Sequence, residues 1–176
     1  MNKNIESVLT ESRVFAPPPA FVAQASLKAQ DLEALHRRAA ADPQKFWADL
    51  ARTEIAWHKP FTVTLDDSAA PNFRWFTDGE LNVSYDCLDV HLERNADRLA
   101  ILFEGEPGDV RKLTYRELHA EVCRFANALK ARGIRRGDRV VIYMPLVPEA
   151  VVAMQACARI GAIHSVVFGE IGRAHV

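Results

Sequence analysis

The chain has little with which to cross-link itself, enter a bilayer or grip a polyanion. Its three cysteines, Cys87, Cys123 and Cys157, are odd in number and too widely spaced for a Cys-x-x-Cys pair. That spacing argues against a disulfide framework or a redox motif and fits reduced thiols. No window approaches the roughly 20 consecutive apolar residues of a membrane span, and the start Met1–Glu6 has no apolar signal core. The expectation is a cytoplasmic protein without a membrane partner. Twenty-two basic residues against 23 acidic ones give a net charge of −1. That balance supplies no electrostatic footprint for nucleic acid.

Chemical motifs are equally scarce. There is no Gly-x-x-x-x-Gly-Lys-Ser/Thr loop, no Gly-x-Gly-x-x-Gly, no Gly-x-Ser-x-Gly and no His-Glu-x-x-His. His91, His119 and His164 stand singly and read as structural residues. Asp86, Asp89 and Glu93 fall at helical spacing on what reads as a solvated face. No catalytic residue and no metal ligand is therefore assigned.

What is present is organised around residues 139–169. Arg139-Val140-Val141-Ile142-Tyr143-Met144-Pro145 and Ile163-His164-Ser165-Val166-Val167-Phe168-Gly169 are short runs rich in β-branched and aromatic residues, separated by a segment of helix length. This is the strand–helix–strand pattern of a parallel sheet, and both strands are apolar on both faces, as in a sheet covered on two sides. Pro148 and Glu149 open the helix and Gly161 stops it. Between them only Glu149, Gln155 and Arg159 are polar, so the helix should be buried almost all round.

Upstream, residues 1–24, broken by Pro17-Pro18-Pro19, read as a mobile arm or extended strap. A helix is expected over Ser26–Ala41, and a second one from Asp42-Pro43 carries Phe46, Trp47 and Leu50 inward. From Ile55 to Asn82 loop residues alternate with Trp57, Phe61, Phe73, Trp75 and Phe76, and packing explains these aromatics better than base stacking does in the absence of a basic groove. Asn82 or Ser84 caps a helix running through Asn95, burying Leu88 and Leu92. Leu99–Phe103 is a strand, Glu104–Asp109 a hairpin loop, and a short strand follows near Lys112-Leu113. Thr114-x-x-Glu117 is a capping box for a helix with Leu118, Val122, Phe125, Ala126 and Leu129 on one face, ending at Gly133.

Several blocks then carry a resemblance. Ala56-Trp57-x-Lys59-Pro60-Phe61, Arg74-Trp75-Phe76-x-Asp78-Gly79-x-Leu81-Asn82, Leu113-Thr114-Tyr115-x-Glu117-Leu118, Gly137-Asp138-Arg139-Val140 and Ala156-Cys157-Ala158-Arg159-Ile160-Gly161-Ala162-x-His164-Ser165-Val166-Val167-Phe168-Gly169 occur in order. From about Phe46 to Gly169 the chain resembles the N-terminal part of the acetyl-CoA synthetase family, the AMP-forming acetate–CoA ligases of the adenylate-forming superfamily. The resemblance implies an α/β fold: a helical N-terminal preface followed by the first strands and helices of a layered, largely parallel-sheet AMP-binding domain, truncated. It divides the chain into an arm (1–24), a helical and aromatic-loop region (25–82), the start of the AMP-binding domain (83–169) and a tail (170–176).

The resemblance also implies chemistry. A parent of this family joins acetate to the α-phosphate of ATP, releases pyrophosphate, and lets coenzyme A displace AMP; its small-molecule partners are acetate, ATP and CoA, with Mg2+ as cofactor. Propionate as substrate, or a non-catalytic assembly module, stays open at this level. The phosphate loop, the metal-binding carboxylate and the acyl pocket lie downstream of Gly169 in the family. The site fragment implied within this chain is Phe168 and Gly169, against the adenine of coenzyme A, at the carboxyl end of a parallel strand. After Gly169 the family pattern breaks, and Ile171-Gly172-Arg173-Ala174-His175-Val176 reads as a translated sequencing adapter, hence as a foreign tail with no ligand role for Arg173.

Overall fold

The computed structural model describes residues 13–168. The chain divides into two compact units between Phe46 and Trp47.

In the first unit, Pro19–Gln24 forms a short helix, α1, and Ala29–Ala41 a second, α2. Two expectations change here. Part of the stretch expected as a strap is helical, because Pro19 occupies the first turn, where a missing N–H costs nothing. The helix expected from Ser26 starts only at Ala29, since Lys28 is extended and its ammonium group reaches back to the carbonyls of Val22 and Ala23 at 2.7 and 3.0 Å. Helix α3, Pro43–Glu54, begins as its sequence dictates: Asp42 Oδ1 accepts the Lys45 N–H at 2.9 Å and Pro43 takes the first position. The boundary between the units falls within α3.

In the second unit, the end of α3 buries Ala48 and Ala51 against Phe61, with Ile55, Trp57 and Phe76 around them. The rings of Trp57, Phe61 and Phe76 meet edge-on or tilted, with centroids 4.6 to 5.7 Å apart. This is the arrangement ring quadrupoles favour. The indole N–H of Trp57 donates to the Ala51 carbonyl at 2.8 Å. Gly79 lies so close that a Cβ there would fall 2.5 Å from the Trp57 ring. The loops between are held by two antiparallel two-residue strands, β1 (Leu65–Asp66) and β2 (Arg74–Trp75), and by Asp78, which accepts the backbone N–H groups of Thr62 and Val63. The Thr62 hydroxyl, which donates to the same carboxylate at 2.5 Å, and these backbone bonds hold the Asp78 carboxyl well below the usual carboxylate range. Of the three tryptophans only Trp57 serves this core; Trp47 and Trp75 are exposed, and so is Leu50, against the inward placing expected of Trp47 and Leu50.

Helix α4, Val83–Cys87, is much shorter than the expected run to Asn95. Asn82 does cap it, its Oδ1 accepting the Tyr85 N–H at 3.2 Å. Leu88 then leaves helical geometry, with φ −126° and ψ −59°, a 3-10 turn covers Asp89–His91, and α5 spans Leu92–Asn95. The break turns Leu88 into the main core, where it is 2% exposed among Leu118, Val122, Ala126, Val152 and Ala156. Burying that side chain outweighs the few helical hydrogen bonds lost.

Strands β3 (Leu99–Glu104) and β4 (Val110–Thr114) form the expected hairpin. The capping box opens α6, Tyr115–Ala131, with Glu117 accepting the Thr114 N–H at 2.8 Å and Thr114 accepting that of Glu117 at 3.3 Å. Strand β5 (Arg139–Met144), helix α7 (Pro148–Ile160) and strand β6 (Ile163–Phe168) form the strand–helix–strand unit, with β5 and β6 parallel from Arg139↔Ile163 to Met144↔Phe168. Gly161, at φ +74°, supplies the left-handed residue that ends α7. As its composition requires, α7 exposes only Glu149. The sheet departs from expectation: Val141, Tyr143, Ile163 and Val167, on the face turned away from buried Ile142, are exposed. Among the described residues β5 is covered on the Ile142 face alone, and β6 is exposed from Ile163 to Val167.

Candidate functional site

Two places in the second unit gather functional groups, at opposite ends of the β5–α7–β6 unit. At the carboxyl end, β5 finishes at Met144 directly across from Phe168, the last residue of β6. In open parallel sheets ligands gather at the carboxyl ends of the strands, and β6 ends there at Phe168. Gly169 and the tail 170–176 lie outside the described residues. The loop 145–147 leaves β5 here and enters α7, whose second residue, Glu149, is paired with Arg111 of β4. Arg111 also reaches Glu121 of α6 at 2.9 Å.

At the amino end of β6 lies a cleft of about 1120 Å3 between Trp57, Asn82, Tyr85, Arg136 and the Ala158–Ala162 turn. Beside it is an ion cluster. Arg159, on α7, donates from Nη1 and Nη2 to the two carboxylate oxygens of Asp89, both at 2.6 Å. The nitrogen Nε2 of His119, on α6, lies 3.2 Å from both Asp89 Oδ1 and Arg159 Nη2, and Cys123 Sγ lies 3.6 Å from it. The Arg159 guanidinium holds the Asp89 carboxyl below its ordinary range, and burial opposes this only in part. Asn82 completes the grip on α7, its amide donating to the carbonyls of Ala158 and Arg159 at 3.2 and 3.1 Å. The Arg159 carbonyl is one that a helix end leaves without an intrahelical partner, whereas that of Ala158 also accepts the Gly161 N–H at 3.1 Å.

The cluster holds a cysteine, a histidine and an aspartate without forming a nucleophilic relay. A relay uses one ring nitrogen for the nucleophile and the other for the acid. Here Cys123 and Asp89 both approach Nε2, and Asp89 is already neutralised by Arg159. It is a tie between three elements. Among the described residues no group of three or more His, Cys, Asp or Glu side chains is placed to hold a metal ion.

Sequence reasoning treated Asp89 as solvated and His119 as isolated, and both are corrected: each side chain is three-quarters or more covered. The missed signal was Arg159 itself. A lone cation in an otherwise apolar helix requires a carboxylate from elsewhere in the fold. Asp86 also leaves the solvated face, accepting the Ala56 N–H at 2.7 Å, whereas Glu93 stays exposed.

Comparison with known proteins matches residues 32–87 to the family described as acetyl-coenzyme A synthetase N-terminus and residues 88–176 to the AMP-binding enzymes. The chain is 63% identical over 166 residues to an acetyl-coenzyme A synthetase of Thiobacillus denitrificans, covering 94% of this chain and 25% of that protein. It is 61% identical over 167 residues to one of Ralstonia nicotianae, with the same coverage. The chain thus spans about a quarter of the length of these relatives. Among solved structures, acetoacetyl-CoA synthetase from Streptomyces lividans matches 87% of this chain and 24% of its own, with a TM-score of 0.73 at 29% identity. The α/β architecture, the aromatic loops that precede it and these two contiguous matches agree, and the chain belongs to the acetyl-coenzyme A synthetase family of AMP-binding enzymes.

Proposed function

We propose that this chain is the N-terminal quarter of an AMP-forming acetate–CoA ligase, which converts acetate, ATP and CoA to acetyl-CoA, AMP and pyrophosphate through an acetyl-adenylate. The observation that carries the reading is identity of about 60% across 94% of the chain to proteins named acetyl-coenzyme A synthetase. ATP and CoA are the substrates of the whole enzyme and Mg2+ its cofactor, acting where charge gathers on the transferring phosphate. The described residues supply scaffold to that reaction: they seat α7 and fix where β6 ends. Phe168 and Gly169 are the contribution to the site itself, the first as a ring against the adenine of coenzyme A, the second as backbone that a purine can approach. Residues 25–82 form the preface, 83–169 the start of the AMP-binding domain, and 170–176 take no part. The cytoplasm, where acetate, ATP and CoA meet, is the compartment this chemistry needs.

The test joins residues 1–168 to the remaining length of the Thiobacillus denitrificans relative and measures acetate-dependent exchange of pyrophosphate into ATP, then acetyl-CoA formation. Both activities are expected in the joined protein and neither in the 176-residue chain alone, which lacks a phosphate-binding motif. Exchange by the isolated chain above a mock preparation, or none in the joined protein, would refute the reading.

A further inference from the structure

Two exposed places in the second unit carry unbalanced charge of opposite sign. One is the stretch from the end of α6 to the start of β5, where Arg132, Arg135, Arg136 and Arg139 stand against a single acid, Asp138. Asp138 already accepts the Arg135 N–H at 2.7 Å. All four arginines are exposed, and among the described residues none of their guanidinium groups meets a carboxylate. The other place is the tip of the β3–β4 hairpin, where the carboxylates of Glu104, Glu106 and Asp109 are exposed and likewise unpaired. The register Leu102↔Lys112 and Glu104↔Val110 puts an apolar shoulder behind that tip, with Leu102 and Val110 62% and 55% exposed and Lys112 as its one base.

The two places lie at opposite ends of α7. Arg111 of β4 pairs with Glu149 in the first turn of that helix. Past the last turn, the stem of Arg136 runs over Gly161, its Cγ 3.0 Å from where a Cβ would stand. Arg136 is also a wall of the cleft beside α7, together with Leu81, Val83 and Tyr85, which keep 39%, 55% and 50% of their surface in water. At about 1120 Å3 the cleft is larger than a small-molecule pocket and suits a length of chain. Glu80 in its lining disfavours a phosphate-rich ligand, and its concave form disfavours a lipid surface.

We propose that this cleft receives the β3–β4 hairpin tip of a second copy of the chain, with Glu104 and Glu106 against the arginines and Leu102 and Val110 covering Leu81, Val83 and Tyr85. Acid meets base and apolar meets apolar in the same contact. Because tip and cleft are different surfaces at opposite ends of α7, the contact is head-to-tail, each copy offering one of each. Arginine suits the cleft wall, since its planar fork takes a carboxylate through two parallel hydrogen bonds. A hairpin tip covers less area than a standard interface, so the association is weak, and exposed charge makes it sensitive to salt. It stands apart from the ligase reading, which uses none of these side chains.

The experiment uses the 176-residue chain carrying Tyr143→Lys and Val167→Lys, which charge the exposed face of the β5–β6 pair and set aside association through it. Sedimentation velocity should show mass rising with concentration, with a Kd on the order of 100 µM. That Kd should weaken about tenfold between about 50 and about 500 mM salt. Arg136→Glu disables the cleft and Glu104→Lys with Glu106→Lys disables the tip, so each variant alone should be monomeric. An equimolar mixture of the two should associate again, because an intact tip on one copy still meets an intact cleft on the other. Should Arg136→Glu fail to fold, Arg136→Gln carries the same comparison through a raised Kd. A parent chain that stays monomeric up to millimolar concentration gives the cleft to a different occupant and overturns the proposal. Either variant associating as tightly as the parent, or a mixture that stays monomeric, overturns it too.

Discussion

The uncovered side of the β5–β6 pair makes a quantitative prediction about the chain in solution. Val141 and Tyr143 are 66% and 68% exposed, and Ile163 and Val167, on the same face of the pair, 55% and 36%. With large side chains presenting on the order of 150–250 Å2, the patch amounts to roughly 400 Å2, within the range of the largest patch a monomer leaves open. At about 25 cal/mol per Å2, covering it in each of two copies is worth roughly 20 kcal/mol at most. Incomplete fit and an association cost of about 4–15 kcal/mol leave a smaller net gain. Strand β6 also pairs on one side only and contains no proline or lysine to discourage a second strand. The 176-residue chain is therefore expected to self-associate at micromolar concentration, with weak amide protection after Gly137. Placing lysines at the two exposed positions, Tyr143→Lys with Val167→Lys, should shift it toward monomer. Size-exclusion chromatography with light scattering, paired with hydrogen exchange, reads both effects. A monodisperse wild-type monomer with strong protection across Val140–Met144 and Val166–Phe168 would refute the reasoning.

In that lysine background, Asp89→Asn should cost about 2 kcal/mol, between the values for exposed and fully buried pairs, and lower the thermal midpoint by about 4 °C. Because Asp89 titrates below its ordinary value of 3.8 in the fold, its contribution is complete above that value and is lost as pH falls through the lower, folded one. Denaturation curves between pH 2 and 6 should show a shallower acid limb in the variant; an unchanged limb would refute the assignment. Gly79→Ala, with its Cβ driven into the Trp57 ring, should cost about 1–3 kcal/mol and alter the near-ultraviolet signal of Trp57; a silent substitution would mean that the ring moves aside freely.

The legible parts of the fold were those where local chemistry and burial agree. The Thr114 and Glu117 box, Gly161 after α7 and the paired strands of 139–168 satisfy local rules and tertiary packing at once, so the pattern alone located them. The stretch 83–95 was misread because its helical periodicity is real but weaker than the pull of one core position. Leu88 is drawn inward, the helix breaks, and Asp89 is delivered to Arg159. No window around Asp89 contains Arg159, 70 residues away. Site residues that depend on such a juxtaposition are invisible to periodicity, whereas Phe168 was named through resemblance, its position at a strand end being local. Trp47 and Trp75 depart in the other direction: size suggests burial, yet they stay 46% and 42% exposed.

Asn82 bears on how segments of this family can be exchanged. Its single amide group serves two helices, the oxygen starting α4 and the nitrogen closing α7. Position 82 belongs to the part matched as the synthetase N-terminus, and α7 to the part matched as AMP-binding enzyme. The border at 87 and 88 is thus a line in descent that the packing ignores, since Leu88 fills the core and the side chain at 82 finishes a helix 76 residues later. A graft that swaps residues 32–87 between relatives succeeds when the incoming segment brings both a donor and an acceptor to this position. Aspartate, of nearly the same shape, keeps the acceptor and loses the donor, leaving a negative charge facing two carbonyl oxygens.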